Sequence, residues 1–241
     1  MKNIFLTIFF SLFITTISIA QEEPASVLLK WAPAGLFAGK LTIGGEYNFS
    51  PKNSVVLNIG IPVKANHQID YDEHTSDFSS KAFSVLLGYR RYLGRREMTG
   101  LYIEPYVKYL KHEASGILEG ALEGERARFL TSTTYSGYGL GAQLGAQFLI
   151  GNRFVIDFFF LGPEANISRF STSATDIESN IPWTFVQAQE AEEDIKDLIS
   201  EIPIIGNKTE ITVNQQQKRV DTKYEGFMPG FRFGLSFGVR L

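Results

Sequence analysis

From Tyr135 to Leu149 the chain alternates. The even positions Ser136, Tyr138, Leu140, Ala142, Leu144, Ala146 and Phe148 form a largely apolar set; the odd positions Gly137, Gly139, Gly141, Gln143, Gly145 and Gln147 are glycine or glutamine. Successive side chains of a strand point to opposite faces, so this pattern predicts a strand with one apolar face and one small, polar face. Glycine weakens an ordinary strand. A row of glycines makes sense inside a small closed barrel, whose interior must hold side chains from every strand.

The same alternation predicts seven further strands. Val27–Ala32 sets Val27, Leu29 and Trp31 against Leu28, Lys30 and Ala32. Lys40–Phe49 sets Leu41, Ile43, Tyr47 and Phe49 against Lys40, Thr42, Glu46 and Asn48. Val55–Lys64 follows, with Pro62 marking a bulge or a fraying end. Ala82–Leu93, Leu101–Tyr109 and Phe154–Leu161 come next, the last with Val155, Asp157, Phe159 and Leu161 on its inner face; Phe231–Leu241 closes the series.

The connections alternate in length. Ser50–Asn53, Gly94–Gly100 and Ile150–Asn152 read as short turns, and Asn66–Ser80, His112–Thr133 and Ser171–Gly226 as long loops. Within the last loop, Phe185, Ala188, Glu192, Ile195, Leu198, Ile199 and Ile202 fall mostly at three-and-four spacing. This predicts an amphipathic helix over Trp183–Ile202, ended by Pro203 and Gly206. Lys208–Val213 and Arg219–Tyr224 suggest a small hairpin. Short turns at one rim and long loops at the other are the signature of an outer-membrane barrel. The fold class expected is therefore all-β: an eight-stranded antiparallel transmembrane β-barrel with short periplasmic turns, long outer loops and one helix in the last loop.

Which face is inside decides between this and a soluble lipocalin-like carrier, whose interior would be apolar. The apolar faces carry bulky aliphatics, with Tyr47, Phe49, Tyr89, Phe148 and Phe154 beside the short turns as an interfacial girdle would be. The other faces mix glycine, Ser, Thr and Gln with both signs of charge, and a solvated outer face has no need of small residues. The polar face is thus assigned to the interior, and with it Lys30, Lys40, Glu46, Lys64, Arg90, Glu104, Lys108, Asp157, Arg232 and Arg240. A barrel of this size is filled by its side chains. Buried charges must pair, so Glu46, Glu104 and Asp157 are each expected to contact an inward Lys or Arg.

Met1-Lys2-Asn3 is a short basic start, Ile4–Ile19 is uncharged, and Ser18-Ile19-Ala20 offers small residues at a cleavage site. This predicts a secretory signal peptide over residues 1–20, with the barrel domain over 21–241, in preference to a retained helical anchor. There is no cysteine, so thiol chemistry and cysteine metal sites are excluded. A net charge of −3 suggests no affinity for nucleic acid.

Several short stretches carry a family likeness: Leu28-Leu29-Lys30 leading to Pro33, Gly44-Gly45-Glu46-Tyr47 before Ser50-Pro51, and Tyr102–Tyr106 with its Pro105. Gly151-Asn152-Arg153-Phe154, Ile202-Pro203-Ile204-Ile205-Gly206 and the closing Pro229-Gly230-Phe231-Arg232-Phe233-Gly234 belong with them. In these the chain resembles the small outer-membrane β-barrels of Gram-negative bacteria, specifically an uncharacterised group catalogued as a domain of unknown function. The resemblance implies export, insertion by the barrel-assembly machinery and contact with outer-membrane lipid. It implies no known activity.

Candidate chemistry is sparse. His67, His74 and His112 fall in or beside predicted outer loops, and His67, Asp70, Asp72 and His74 could surround a metal ion, although acidic loops are usually just solvated. Barrels that trim lipid use a His and a Ser facing the bilayer, and no His here lies on an apolar strand face beside a Ser. No catalytic, cofactor or metal residue is assigned. A structural or interaction role is expected, with a lipid-modifying enzyme or a narrow transporter on the same barrel as alternatives. The helix reads as a cap on the barrel mouth in preference to a surface for a partner or for lipopolysaccharide, since Glu190, Glu192, Glu193, Asp194 and Asp197 make its polar face acidic.

Overall fold

The alternating segments form long antiparallel strands that close on themselves. The structure is a computed structural model; it describes residues 26–71, 74–94, 96–122, 125–178, 180–200 and 208–241, and the predicted signal peptide lies outside these. The strands are β1 (Ser26–Ala32), β2 (Lys40–Ser50), β3 (Asn53–Pro62), β4 (Ala65–Tyr71), β5 (His74–Tyr92), β6 (Gly100–Leu122), β7 (Glu125–Ile150), β8 (Phe154–Asp176), β9 (Thr209–Asn214) and β10 (Arg219–Arg240), with one helix, α1 (Phe185–Ser200), before β9. The ring runs β1-β2-β3-β5-β6-β7-β8-β10 and closes by β10 pairing with β1, while β4 and β9 pair only with the upper parts of β5 and β10.

The two faces separate as the alternation demands. Tyr138, Leu140 and Ile167 are 71%, 62% and 71% exposed on the outside, whereas Glu46, Glu104 and Gln147 are buried inside. This is the inverse of a soluble barrel and matches a transmembrane one, in which the outward band is apolar and the interior polar. Aromatic rings mark both edges of the band. Phe49 and Tyr89 pair at the short-turn rim with ring centroids 6.2 Å apart, and Tyr109 and Tyr138 at the opposite rim at 4.8 Å.

Two of the three long loops are strand instead. Asn66–Ser80 is a hairpin built by β4 and the start of β5, and His112–Thr133 is the outer ends of β6 and β7, registered pair by pair as far as Leu122 with Glu125. In the third, Ser171–Gly226, β8 continues to Asp176 and β10 begins at Arg219. Above the apolar band the outer faces of these strands are largely polar, and the inner faces meet apolar partners mainly at Ala127, Phe129 and Val220 under the helix, so no sustained hydrophobic alternation announces them. The result is lopsided: β5 to β10 rise as a wall beyond the band, while β1, β2 and β3 stop near its edge.

β8 also carries a bulge. Leu144 pairs with Leu161 and Gly145 with Phe159, leaving Phe160 as an extra residue. The parity of β8 inverts there, so Leu161, expected inside, is exposed, and Glu164, Asn166 and Ser168 are buried inside.

α1 begins two residues later than expected, after a capping box: Thr184 Oγ1 accepts from Gln187 N at 3.1 Å and Gln187 Oε1 accepts from Thr184 N at 2.9 Å. Phe185, counted in the apolar stripe, is exposed, while Trp183, Ala188, Ala191 and Ile195 pack against Ala127, Phe129, Ile211, Val213 and Val220. The helix thus lies against the inner surface of the tall wall, as a cap. Ile202 and the side chains of Leu198 and Ile199 lie outside the described residues.

Candidate functional site

The buried polar residues converge because strands on opposite sides of the ring aim them at one axis. At the centre are two cations and three carboxylates. Lys30 Nζ donates to Glu46 Oε2 at 2.5 Å, Gln147 Oε1 at 2.5 Å and Asp157 Oδ2 at 2.8 Å. Arg90 Nε donates to Glu104 Oε2 at 2.6 Å, and its Nη1 reaches Gln147 Oε1 at 2.8 Å, Asp157 Oδ2 at 2.9 Å and Glu46 Oε2 at 3.3 Å. Ser54 and Tyr92 hydroxyls also donate to Glu46, at 2.7 and 2.5 Å, and Tyr102 donates to Asp157 at 2.6 Å while its ring lies 3.7 Å under the Arg90 guanidinium. Gln147 Nε2 donates to Met98 O at 2.8 Å, which turns its oxygen toward the two cations.

A second layer sits above. Gln143 Nε2 donates to Glu104 at 3.1 Å and its oxygen accepts from Arg232 at 2.7 Å. Arg232 stacks over Phe159 at 4.4 Å. Lys108 is ion-paired with Glu164, which also accepts from Tyr106 at 2.9 Å. Lys40 donates to Ser84 at 3.0 Å, near the mouth.

Of the ten residues assigned to the interior, Lys30, Glu46, Arg90, Glu104 and Asp157 form the central cluster. Lys108, Arg232 and Lys40 belong to the layer above, and Arg240 lies at the short-turn rim with Ser26 and Glu97, the latter 3.1 Å away. Lys64 is a correction: it is exposed. β3 ends at Pro62, which has no N–H to donate to the ladder, and Val63-Lys64 breaks the alternation before β4 begins. Glu164, Gln143, Gln147 and the tyrosines 92, 102 and 106 complete the network without having been singled out. Tyr92, Tyr102, Tyr106 and both glutamines do lie at inward parity in the sequence; Glu164 is hidden by the bulge at Phe160.

His67 and His112 do not face the bilayer. His67 Nε2 lies 3.4 Å from Ser80 Oγ on the lumen side of the mouth, close enough to His112 that, after burial and the charge of Lys40, it helps hold the His112 imidazole below its ordinary range. Among the described residues no three His, Asp or Glu side chains gather as metal ligands; Asp72 and the side chains of Asp70 and His74 lie outside those residues. Outside the barrel, Glu113 accepts from Lys111 and Lys81, which lowers its carboxyl to about 2.

Chemically the interior is a plug of paired charges, with Thr42 Oγ1, Asn48 Nδ2 and Asn166 Oδ1 buried without a partner beside them. Each carboxylate is met by several donors, and each donor set is drawn from different strands. A buried pair of this kind adds little net stability over an apolar core, but removing one partner costs about 3–5 kcal/mol because it strands the other charge.

No family model matches the chain, and no curated protein matches it. Among solved structures, it is similar to the crystal structure of Acinetobacter baumannii CarO, at 9% identity, covering 92% of this chain and 99% of that one with a TM-score of 0.42. An overlap so loose transfers no residue roles, and the barrel is established by its own strand register.

Proposed function

We propose that the protein is a non-enzymatic outer-membrane barrel of Gram-negative bacteria with a structural or interaction role. On this reading it is exported by a signal peptide cleaved after Ala20 and inserted by the barrel-assembly machinery. It belongs to the narrower group of small barrels of unknown function that its sequence resembles. The observation that carries the reading is the pairing of an apolar exterior with an interior in which Lys30 and Arg90 bind Glu46, Glu104 and Asp157 across the whole lumen. Side chains locked in this way leave the tall outer wall and the capped mouth as the surfaces that act.

Two measurements test this. Protein from the outer-membrane fraction is expected to change gel mobility on boiling, and planar-bilayer recordings are expected to show no stable channel. Glu104→Gln should lower the unfolding midpoint and leave the bilayer silent. Steady conductance in the parent chain that Glu104→Gln alters without unfolding the barrel would instead favour a narrow transporter.

A further inference from the structure

The outer face of β5 to β10 is organised in horizontal rows, because antiparallel register places outward residues of neighbouring strands side by side. At the top of the apolar band runs the row Val85, Tyr109, Tyr138, Ile167, Phe227. Beneath the touching Tyr109 and Tyr138 rings is a groove of about 530 Å³ lined by Val85, Leu87, Val107, Leu140, Ala165 and Ile167. It exists because Ala165 is small between the longer Leu140 and Ile167.

The next row up is Phe83, Lys111, Ser136, Arg169, Glu225, and the one above it Lys81, Glu113, Thr134, Ser171, Lys223. Consecutive rows are two residues apart, about 7 Å along a strand. Four cations and two carboxylates therefore stand directly over the groove. Above them Ser132, Ser173 and Thr212 join Thr134 and Ser171 in a shallow pocket of about 350 Å³ whose hydroxyls are flanked by Glu210, Arg219, Asp221 and Lys223. Three of these cations are held by carboxylates at the surface: Glu113, half-buried, takes both Lys111 and Lys81, at 2.7 and 2.8 Å, and Glu225 takes Arg169 at 2.8 Å. Exposed pairs of this kind are weak and exchange readily for a stronger anion. A phosphate offers Arg169 and Lys111 charge-assisted bonds at no burial cost. Among the described residues, β2 and β3 on the opposite side do not reach these tiers, since β2 begins at Lys40 and β3 ends at Pro62.

We propose that this face binds a phosphorylated, acylated glycolipid: an acyl chain in the groove, a phosphate across Lys111 and Arg169, and sugar hydroxyls against the serine and threonine tier. The assignment rests on the membrane reading above. The order apolar, cationic, hydroxylic along one set of strands fits that molecule, whereas a glycerophospholipid would leave the third tier unused.

The test uses the full barrel refolded in detergent, with bis-phosphorylated lipid A as probe and phosphatidylglycerol as competitor, read by native mass spectrometry. The parent chain is expected to retain lipid A about tenfold better than the K111Q/R169Q double variant, the loss of two charge-assisted contacts, and E113Q is expected to tighten retention by freeing both lysines. Equal retention by parent and double variant would overturn the proposal, and so would displacement of the probe by phosphatidylglycerol on equal terms. The heat-dependent gel shift is scored on every sample. Its presence alongside failed lipid retention overturns only the lipid site; its absence from the parent overturns the membrane reading and this site with it.

Discussion

Gly145 shows how closely the interior is filled. A Cβ placed there would stand 2.3 Å from the Tyr102 ring and 2.5 Å from the carbonyl oxygen of Phe158, which cannot yield. Tyr102 in turn donates to Asp157 and supports Arg90. Gly145→Ala is therefore expected to displace the ring and cost about 1–3 kcal/mol. The readout is a lower urea midpoint for the barrel folded into vesicles. Gly94→Ala, where the nearest atom is Thr99 O at 3.5 Å, should leave the midpoint unchanged. An unchanged midpoint for Gly145→Ala would mean that the interior has slack. The need for small residues on this face was legible in the alternation of Tyr135–Leu149. The place of Glu164 was not, because one extra residue at Phe160 reverses every later side chain of β8, and nothing in Phe158-Phe159-Phe160-Leu161 distinguishes the bulged position from its neighbours.

At the scale of elements, the apolar band made the eight crossings readable, and its end hid how far they continue. Beyond Tyr109 and Tyr138 the outer face is largely polar and the inner face is apolar mainly where α1 covers Ala127 and Phe129, so His112–Leu122 and Glu125–Thr134 follow no sustained apolar period even though they pair throughout. The cap, by contrast, has a core of its own and was visible. Trp183 anchors it: the indole donates to Asp176 at 3.0 Å, the backbone N–H donates to Gln215 O at 3.2 Å, and the ring meets Phe129 edge-on with centroids 6.4 Å apart. Trp183→Ala should remove about 3–5 kcal/mol from this subassembly. Because the cap contributes no strand to the ring, the loss should be local. Limited proteolysis is expected to cut α1 and its flanks in the variant while the heat-dependent gel shift persists. Loss of the shift would show that the barrel depends on its cap.

At the scale of the whole molecule, the ring is unevenly closed. β6 and β7 register over their full length from Gly100 with Gln147 to Leu122 with Glu125, but β10 meets β1 only from Leu28 with Arg240 to Trp31 with Phe237. Farther along the same edge of β10, β9 takes over at Tyr224. Between these two partners the 3₁₀ turn Pro33–Gly35 packs beside β10. The Tyr224 hydroxyl donates to Phe227 O at 2.5 Å and Asn166 to Met228 O at 3.1 Å, side chains serving two of the strand's carbonyls. Since a barrel opens where the fewest ladder bonds must break, the β1–β10 seam should be its weakest line. Hydrogen exchange is expected to reach the amides of Leu28–Trp31 and Phe237–Arg240 well before those of Tyr106–Leu110. The absence of native cysteine makes a direct check possible. A disulfide between Leu29→Cys and Val239→Cys, which face each other across the seam, should raise the temperature of the gel shift, whereas one between Ile103→Cys and Leu144→Cys, within the best-zipped pair, should raise it less. Equal protection at both sites would place the first opening somewhere other than the seam.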